Sequence, residues 1–273
     1  MLKILSLGAG VQSTTLFLMA CKGELPKLDA AIFADTQWEP AEIYKHLGWL
    51  ATQGAIHGIP IITTTKSSLR SDAITAQVRG RKAEGVRWAS MPMYTLQPNG
   101  KIGMIRRQCT TEYKIEMIEK ATRRLLGLRP RQKAVANSAE QWVGISADEA
   151  ARMRDSKAHW YSLRYPLIWD VELPMTRQDC IAWLKRNNYP VPPKSACLGC
   201  PFHSDSEWRN IKQNNSEWAD VCEFDRQIRN SRGMRGQVFL HRSCKPLSEI
   251  DFSTAEERGQ RNWINECSGM CGV

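Results

Sequence analysis

The side chains best suited to chemistry in this sequence are cysteines near its C-terminal end. Cys197 and Cys200 are separated by two residues and are followed by Pro201 and Phe202. Two thiolates at this spacing can bind the same metal ion or cluster, and the proline fixes the turn that presents them. A structural zinc ion, a [4Fe–4S] cluster and a thiol–disulfide pair all use such a motif, and the spacing alone does not choose among them.

A metal site would need further ligands, and the sequence contains nine cysteines. Three of them lie within helical apolar patterns and are interpreted as core residues: Cys21, Cys180 and Cys222. The remaining four stand in polar or basic segments and are candidates for ligands or for a reactive thiolate: Cys109, Cys244, Cys267 and Cys271. The N-terminus has no signal-peptide pattern, so we expect a cytoplasmic location, where reducing thiols disfavour disulfides.

Basic side chains surround two of these cysteines. Arg106, Arg107 and Lys114 flank Cys109, and a second group stands beside Cys244, namely His241, Arg242 and Lys245. The planar donor fork of arginine fits phosphate or sulfate. We therefore expect an anion site built from Arg106, Arg107, His241 and Arg242. The alternative is that each of these charges is simply solvated at the surface.

The N-terminal segment contains a loop that could hold phosphate. Three small residues, Gly8, Ala9 and Gly10, stand between a short apolar strand and a predicted helix. They let the backbone approach a ligand, and the first N–H groups of the helix are unpaired at the positive end of its dipole. Ser13 and Thr14 would add hydroxyl donors. The loop fits neither the Walker A nor the Gly-x-Gly-x-x-Gly pattern, so an ordinary tight turn is the alternative.

The elements that must position these residues alternate between strand and helix patterns. Strand patterns recur at residues 2–7, 30–35, 60–65 and 141–145. Four helices are predicted between and after these strands. The first is capped by Ser13, the second starts at Pro40, the third covers residues 112–126 and the fourth starts at residues 148–149. A hairpin is predicted around residues 98–100. Short apolar strands separated by helices predict a doubly wound α/β fold, with a mainly parallel sheet and helices on both faces.

The chain changes character after Met175, where short helices, prolines and most of the cysteines are found. We predict a nucleotide-binding α/β domain over residues 1–174. We further predict a C-terminal helical cap over residues 175–273, organised by the cysteine-ligated site. The boundary between the two parts is soft, and both could belong to one domain.

The composition favours an anionic partner. The chain has 273 residues and a net charge of +10, and its basic residues come in blocks, as at residues 79–82, 106–107, 123–124 and 129–133. Such blocks fit a nucleotide or a nucleic acid, although a generically basic surface is the other interpretation. No apolar stretch approaches the ~20 residues that a transmembrane helix needs, so no membrane partner is expected.

The N-terminal loop resembles the PP-loop of ATP pyrophosphatases and of the related phosphoadenosine-phosphosulfate (PAPS) reductases, whose motif is Ser-Gly-Gly-x-Asp-Ser. Residues 8–13 fill its six places. Gly10 and Ser13 match, whereas Gln12 replaces the acidic residue and Gly8 the leading serine. Residues 33–40 resemble the family segment Asp-Thr-Gly-x-x-x-Pro, with Gln37 in place of the glycine. Residues 144–149, with Arg152, resemble a later strand-end segment of the reductase-like branch.

This resemblance implies a nucleotide site and a cluster. ATP or PAPS, with Mg²⁺, would be contacted by Gly8, Ala9, Gly10, Gln12, Ser13, Thr14, Asp35, Thr36 and Asp148, with Asp35 facing the adenosine. Members of the superfamily that carry an iron–sulfur cluster hold it on a Cys-x-x-Cys pair and an upstream cysteine, a layout matched by Cys109, Cys197 and Cys200. Cys267 is the preferred fourth ligand and Cys244 the alternative. Zinc is the alternative to the cluster.

Three functions follow from the resemblance. The first is ATP-dependent adenylation of a substrate and sulfur transfer to a nucleic acid, with sulfur from a donor such as a cysteine desulfurase and with Arg107 and Lys114 neutralising the leaving charge. The second is a sulfonucleotide reductase that forms sulfite, in which Cys267 or Cys271 attacks the substrate sulfur and a thioredoxin-like protein supplies electrons. The third is a nucleotide- or redox-sensing protein without catalysis, because Gln12 stands where the family has an acidic residue.

Overall fold

The structure is a computed structural model that describes residues 1–79, 91–231, 234 and 236–253. Within them the strands are β1 (Leu2–Leu7), β2 (Ala30–Asp35), β3 (Ile61–Thr65), β4 (Tyr94–Leu96), β5 (Ile102–Met104), β6 (Ala139–Val143), β7 (Tyr161–Arg164) and β8 (Gln237–Phe239). The α-helices are α1 (Val11–Lys22), α2 (Ala41–His57), α3 (Leu69–Arg79), α4 (Glu116–Leu125), α5 (Pro166–Trp169), α6 (Arg177–Arg186), α7 (Asp205–Lys212) and α8 (Asn215–Ile228).

Five strands form one sheet in the order β3-β2-β1-β6-β7, and every neighbouring pair is parallel. The order reverses at β1, because β2 and β3 extend the sheet to one side and β6 and β7 extend it to the other. In register, Leu5 of β1 lies between Ala31 of β2 and Trp142 of β6. The predicted α/β fold with a mainly parallel sheet is confirmed.

Successive side chains of each strand point to opposite faces of this sheet, and a hydrophobic core lies on each face. Leu5 and Leu7 join the core formed with α1, α2 and α6, whereas Ile4 joins the core formed with α4. Burial on both faces explains why these strands are short, almost continuous apolar runs. Helices therefore flank the sheet on both sides, as the sequence predicts.

A second, smaller sheet is antiparallel and has the order β5-β4-β8. Strands β4 and β5 form the hairpin predicted around residues 98–100. Next to this sheet lies a core in which side chains from residues 38–113 pack against α7 and α8, with Trp208 and Phe224 fully buried at its centre. This core takes residues from both sides of the predicted boundary at residue 174, and the boundary stays a prediction. Helix α6, which follows that boundary, packs on α1 through Trp183 and Leu184.

Several element limits differ from the sequence prediction. Helix α1 begins at Val11, so Gly10 is its N-cap and the prediction of Ser13 as the cap was wrong. The reason is that the Gly10 carbonyl already accepts the first helical hydrogen bond, from the N–H of Thr14 at 2.9 Å. The helix predicted from residue 112 starts with a π-helical turn (Thr111–Ile115), and the one predicted from residue 148 is a 3₁₀ turn (Ala147–Arg152).

None of the helices that the structure describes is both long and apolar enough to cross a membrane.

Candidate functional site

The phosphate-binding loop predicted at residues 8–14 lies at the carboxyl end of β1, beside the carboxyl end of β6. Ligand crevices of doubly wound sheets form where the strand order reverses, which is between these two strands. The two strand ends approach closely. A Cβ atom on Gly144, which follows β6, would stand 2.9 Å from the backbone nitrogen of Ser13. Glycine at position 144 is therefore a steric requirement for this side of the crevice.

The loop presents backbone donors at the start of α1. Ala9 has a φ of +57°, in the left-handed region that few residues other than glycine adopt, and Gly10 then opens the helix without a side-chain cap. The first turn of α1 contains no acidic residue. Its N–H groups and the positive end of the helix dipole thus face the crevice, which favours an anion there.

The polar side chains of the loop form hydrogen bonds within the protein. The Ser13 hydroxyl accepts a hydrogen bond from the Gly8 N–H at 3.2 Å, and the Gln12 amide donates to Glu149 Oε2 at 3.4 Å. Thr14 Oγ1 is 3.0 Å from Nε2 of His46, and both side chains are buried. Burial lowers the pKa of His46 to about 4, so this imidazole is neutral at pH 7. Gln12, Ser13 and Thr14 therefore hold the loop in shape.

Asp35 and Thr36 stand at the end of β2, next to the loop. Asp35 Oδ1 accepts hydrogen bonds from the Gln37 N–H at 2.7 Å and the Tyr44 hydroxyl at 2.8 Å. Gln37 has a φ of +57°, and it occupies the place where the resembled segment has glycine. The backbone thus adopts the conformation that a glycine there would favour. The second predicted carboxylate, Asp148, accepts from the N–H of Arg177 at 3.0 Å, at the start of α6.

A pocket beside this crevice brings three predicted ligands together. Its lining includes Cys109, Cys197 and Cys200, together with two of the predicted cations, Arg107 and Lys114. The other lining residues are Thr36, Leu69, Met91, Pro92, Thr110, Pro201 and Phe202. The turn that carries the Cys-x-x-Cys pair packs closely on the sheet, because a Cβ on Gly199 would overlap the ring of Trp38 at 2.0 Å.

A buried carboxylate that the sequence reasoning missed lies under the pocket. Glu39 follows β2, and its side chain is 0% exposed. Its Oε1 accepts from Thr36 Oγ1 at 3.0 Å, from Lys114 Nζ at 3.1 Å and from Cys197 Sγ at 3.5 Å. Its Oε2 has no hydrogen-bond partner among the described residues. No local sequence pattern distinguishes Glu39 from the polar residues around it.

The π-helical turn explains why Lys114 points inward. Such turns insert one extra residue per turn and re-aim side chains, and they are frequent at functional sites. Here Lys114 is only 5% exposed and forms a buried ion pair with Glu39. Arg107 donates to Thr110 Oγ1 at 2.5 Å and lies over the ring of Phe202. Arg106, by contrast, is exposed and does not line the pocket.

The second predicted group of cations is already paired. His241 Nε2 lies 2.8 Å from Asp205 Oδ1, and Arg242 donates to Asp205 Oδ2 at 2.6 Å. Burial lowers the pKa of His241. Although burial of Asp205 opposes it, hydrogen bonds from His241 and Arg242 hold the pKa of Asp205 below its ordinary value. In this arrangement Arg242 neutralises Asp205, and His241 is its hydrogen-bond partner.

Cys244 is buried and follows β8, the strand that pairs with β4. Cys244 has a φ of +51°, a strained conformation for a residue with a side chain. The other candidates, Cys267 and Cys271, lie outside the described residues.

In the part of the chain that the structure describes, no three or more His, Cys, Asp or Glu side chains are close enough to hold a metal ion. The predicted [4Fe–4S] or zinc site is therefore neither confirmed nor excluded. The type of donor nevertheless fits, because three thiols share one pocket and soft thiolates are the ligands of iron–sulfur clusters.

Comparison with known proteins adds no family. No protein-family model matches the chain, and no curated protein matches it. The resemblance to PP-loop proteins stays a prediction from the sequence motifs.

Proposed function

We propose that this protein binds an adenine nucleotide in the crevice above β1 and β6, beside a cysteine-ligated cluster. As a PP-loop ATP pyrophosphatase similar to the PAPS reductases, it would adenylate a substrate and support sulfur transfer to a nucleic acid. The doubly wound sheet supports this reading, since its reversal point coincides with the loop that resembles a PP-loop.

One observation carries the proposal, namely that the crevice and the cysteine pocket share a wall. Ser195 donates a hydrogen bond to the carbonyl oxygen of Gly8, in the loop. Two residues further on, Cys197 Sγ lies 3.3 Å from Oγ1 of Thr36, at the end of β2. A nucleotide bound to the loop would thus lie next to the thiols, as chemistry that uses both requires.

The residues around this wall can be given separate tasks. Backbone N–H groups at the start of α1 would bind the phosphates. Lys114, held by Glu39, and Arg107 would place positive charge beside them and stabilise the charge that develops when pyrophosphate leaves. Asp35 would meet the ribose or adenine, because a carboxylate at the end of a neighbouring strand faces the same crevice.

Cys109, Cys197 and Cys200 would hold the cluster, with Cys267 as the fourth ligand and Cys244 as the alternative. A bound [4Fe–4S] cluster would supply a site for electron transfer or for sulfur. Glu39 would keep Lys114 in a fixed position beside these cysteines.

The experiment starts with protein purified without oxygen. We expect about four irons per chain and binding of ATP in a calorimetric titration. With a nucleic-acid acceptor and a sulfur donor present, labelled ATP should yield AMP and pyrophosphate. Gly10→Val should abolish ATP binding, because its side chain would enter the loop against Ser195, only 3.4 Å from a Cβ at position 10.

Other results would change the assignment. Stoichiometric zinc without iron would replace the cluster by a structural metal site. Sulfite release from PAPS, without ATP cleavage, would identify a sulfonucleotide reductase. Failure of both ATP and PAPS to bind would overturn the nucleotide site altogether.

A further inference from the structure

A second charged surface lies away from the pocket. Residues 120–137 contain six cations and no acidic residue, in a chain whose net charge is +10. Five of the six are exposed, and we call these five the basic edge: Lys120, Arg124, Arg129, Arg131 and Lys133. None of the five forms an ion pair with another described residue. The charge of the basic edge is therefore open to an external anion.

The chain path places the basic edge at the opposite end of the sheet from the crevice. Lys114 contacts Glu39 beside the pocket, at the carboxyl ends of the strands. Helix α4 then runs back along the sheet, and the chain enters β6 at Ala139, at the amino ends of the strands. Ten helical residues from Lys114 to Arg124 cover about 15 Å. The basic edge and the pocket are thus separated by roughly the length of one strand.

Hydrogen bonds hold the turn that carries Arg129 and Arg131 in a fixed conformation. The side-chain oxygen of Gln132 accepts from the N–H of Arg129 at 2.9 Å, and the N–H of Gln132 donates to the carbonyl of Arg129 at 3.1 Å. The carbonyl of Gln132 accepts from Arg123, which also lies over the ring of Trp160. A surface that is already ordered loses less entropy when a partner binds.

An adjoining loop extends the same surface. The N–H of Asn137 donates to the carbonyl of His159 at 3.1 Å, which brings residues 153–160 alongside the turn. This loop adds exposed Arg154 and Lys157 against a single acid, Asp155. The positive surface thus extends over two neighbouring loops, and this area is larger than one small anion would occupy.

We propose that the basic edge binds the sugar–phosphate backbone of a nucleic acid whose reactive base or end reaches the cysteine pocket. This proposal rests on the proposed function, because it locates the acceptor of that reaction. Three of the five cations are arginines, whose forked donors suit phosphate oxygens. Since the two sites are about 15 Å apart, the acceptor must extend past at least five nucleotide steps of about 3.4 Å.

The test compares two triple variants that remove the same charge. Arg129→Gln/Arg131→Gln/Lys133→Gln neutralises the basic edge, and Lys45→Gln/Lys185→Gln/Arg186→Gln neutralises exposed cations on α2 and α6. Binding to a fluorescein-labelled 24-nucleotide RNA hairpin and to a 24-base-pair DNA duplex is followed by anisotropy between 50 and 200 mM KCl. Vesicles of phosphatidylcholine and phosphatidylserine serve as a second polyanion, and ATP binding is measured in parallel.

If three phosphate contacts are lost, the slope of log K against log salt should become shallower by about 2.7 on a duplex and about 2 on a single strand. Between 50 and 200 mM KCl, a slope shallower by 2.7 means that the basic-edge variant loses roughly 40-fold less affinity for the duplex than the unmodified protein does. The control variant should retain the original slope. Equal slopes in both variants would overturn the proposal, as would binding to vesicles but to neither nucleic acid. If the unmodified protein binds nucleic acid through the basic edge but does not bind ATP, that result contradicts the proposed function and leaves this proposal standing.

Discussion

The substitution Gly144→Ala tests the loop with a single methyl group. Gly144 follows β6 and faces the first turn of α1, where a Cβ atom would stand 2.9 Å from the nitrogen of Ser13 and 3.2 Å from its Cα. Both neighbours are backbone atoms, so neither can rotate away. The φ angle at Gly144 is outside the left-handed region, and alanine therefore brings crowding without backbone strain.

The magnitude follows from the contact distances. Ordinary van der Waals contact of a Cβ begins near 3.4 Å, so the start of α1 must shift by about half an ångström. Overpacking of this kind costs about 1–3 kcal/mol of unfolding free energy. If the shifted N–H groups lose one hydrogen bond to a charged phosphate, ATP binding weakens by about 1.5–3 kcal/mol, which is roughly 10- to 150-fold in Kd.

Gly48→Ala provides the matched control. Gly48 lies on the exposed side of α2, and nothing stands within 4 Å of a Cβ at this position. Gly48→Ala should stabilise α2 by about 1 kcal/mol at most, and it should leave ATP binding unchanged. Urea unfolding reports the stability of both variants, and isothermal titration calorimetry reports the Kd for ATP.

The two readouts separate packing from function. A Gly144→Ala protein that is destabilised as expected but binds ATP with the original Kd would refute the reasoning. Such a result would show that position 144 packs against α1 without positioning a ligand-binding loop.

Two further predictions concern the ion pair under the pocket and the ligands of the proposed cluster. Glu39→Gln should lower the free energy of unfolding by about 3–5 kcal/mol, measured in urea, because Lys114 then keeps a buried charge without its partner. Adding Lys114→Met should restore most of that loss, and an unrestored double variant would show that the ion pair is not the cause. Cys267→Ser should reduce the iron content of anaerobically purified protein, whereas Cys244→Ser should not, and the opposite pattern would assign the fourth-ligand role to Cys244.

Local patterns in the sequence were sufficient for the parallel sheet. The apolar runs at residues 2–7 and 30–35 are strands at those limits, because burial on both faces leaves few alternatives to a short parallel strand. The end of a helix is less certain, since one hydrogen bond decides it. Gly10 rather than Ser13 is the N-cap of α1 for that reason. The packing of α6 on α1 depends on tertiary contacts, which no local pattern contains.

The site divides in a similar way. The Cys197/Cys200 pair could be found from its spacing, and the resemblance added Cys109. The three cysteines do line one pocket. Glu39 could not be found, because its role exists only through side chains that are distant in sequence, namely Lys114 and Cys197. The pairing of His241 and Arg242 with Asp205 was hidden for the same reason. Spacing predicts which groups can react but not which partners already occupy them.

The shared wall has a thermodynamic consequence for the proposed function. Ser195 holds the Gly8 carbonyl of the loop, while the same segment presents Cys197 to Thr36 and Glu39. A ligand that binds the Cys197 thiolate in the pocket must therefore pull on residues 195–197, which also support the phosphate loop. Linkage then requires the reverse effect of equal size, so nucleotide binding must change the affinity of the thiols for their ligand by the same factor. The backbone of residues 195–197 is the physical connection through which each site would sense the other.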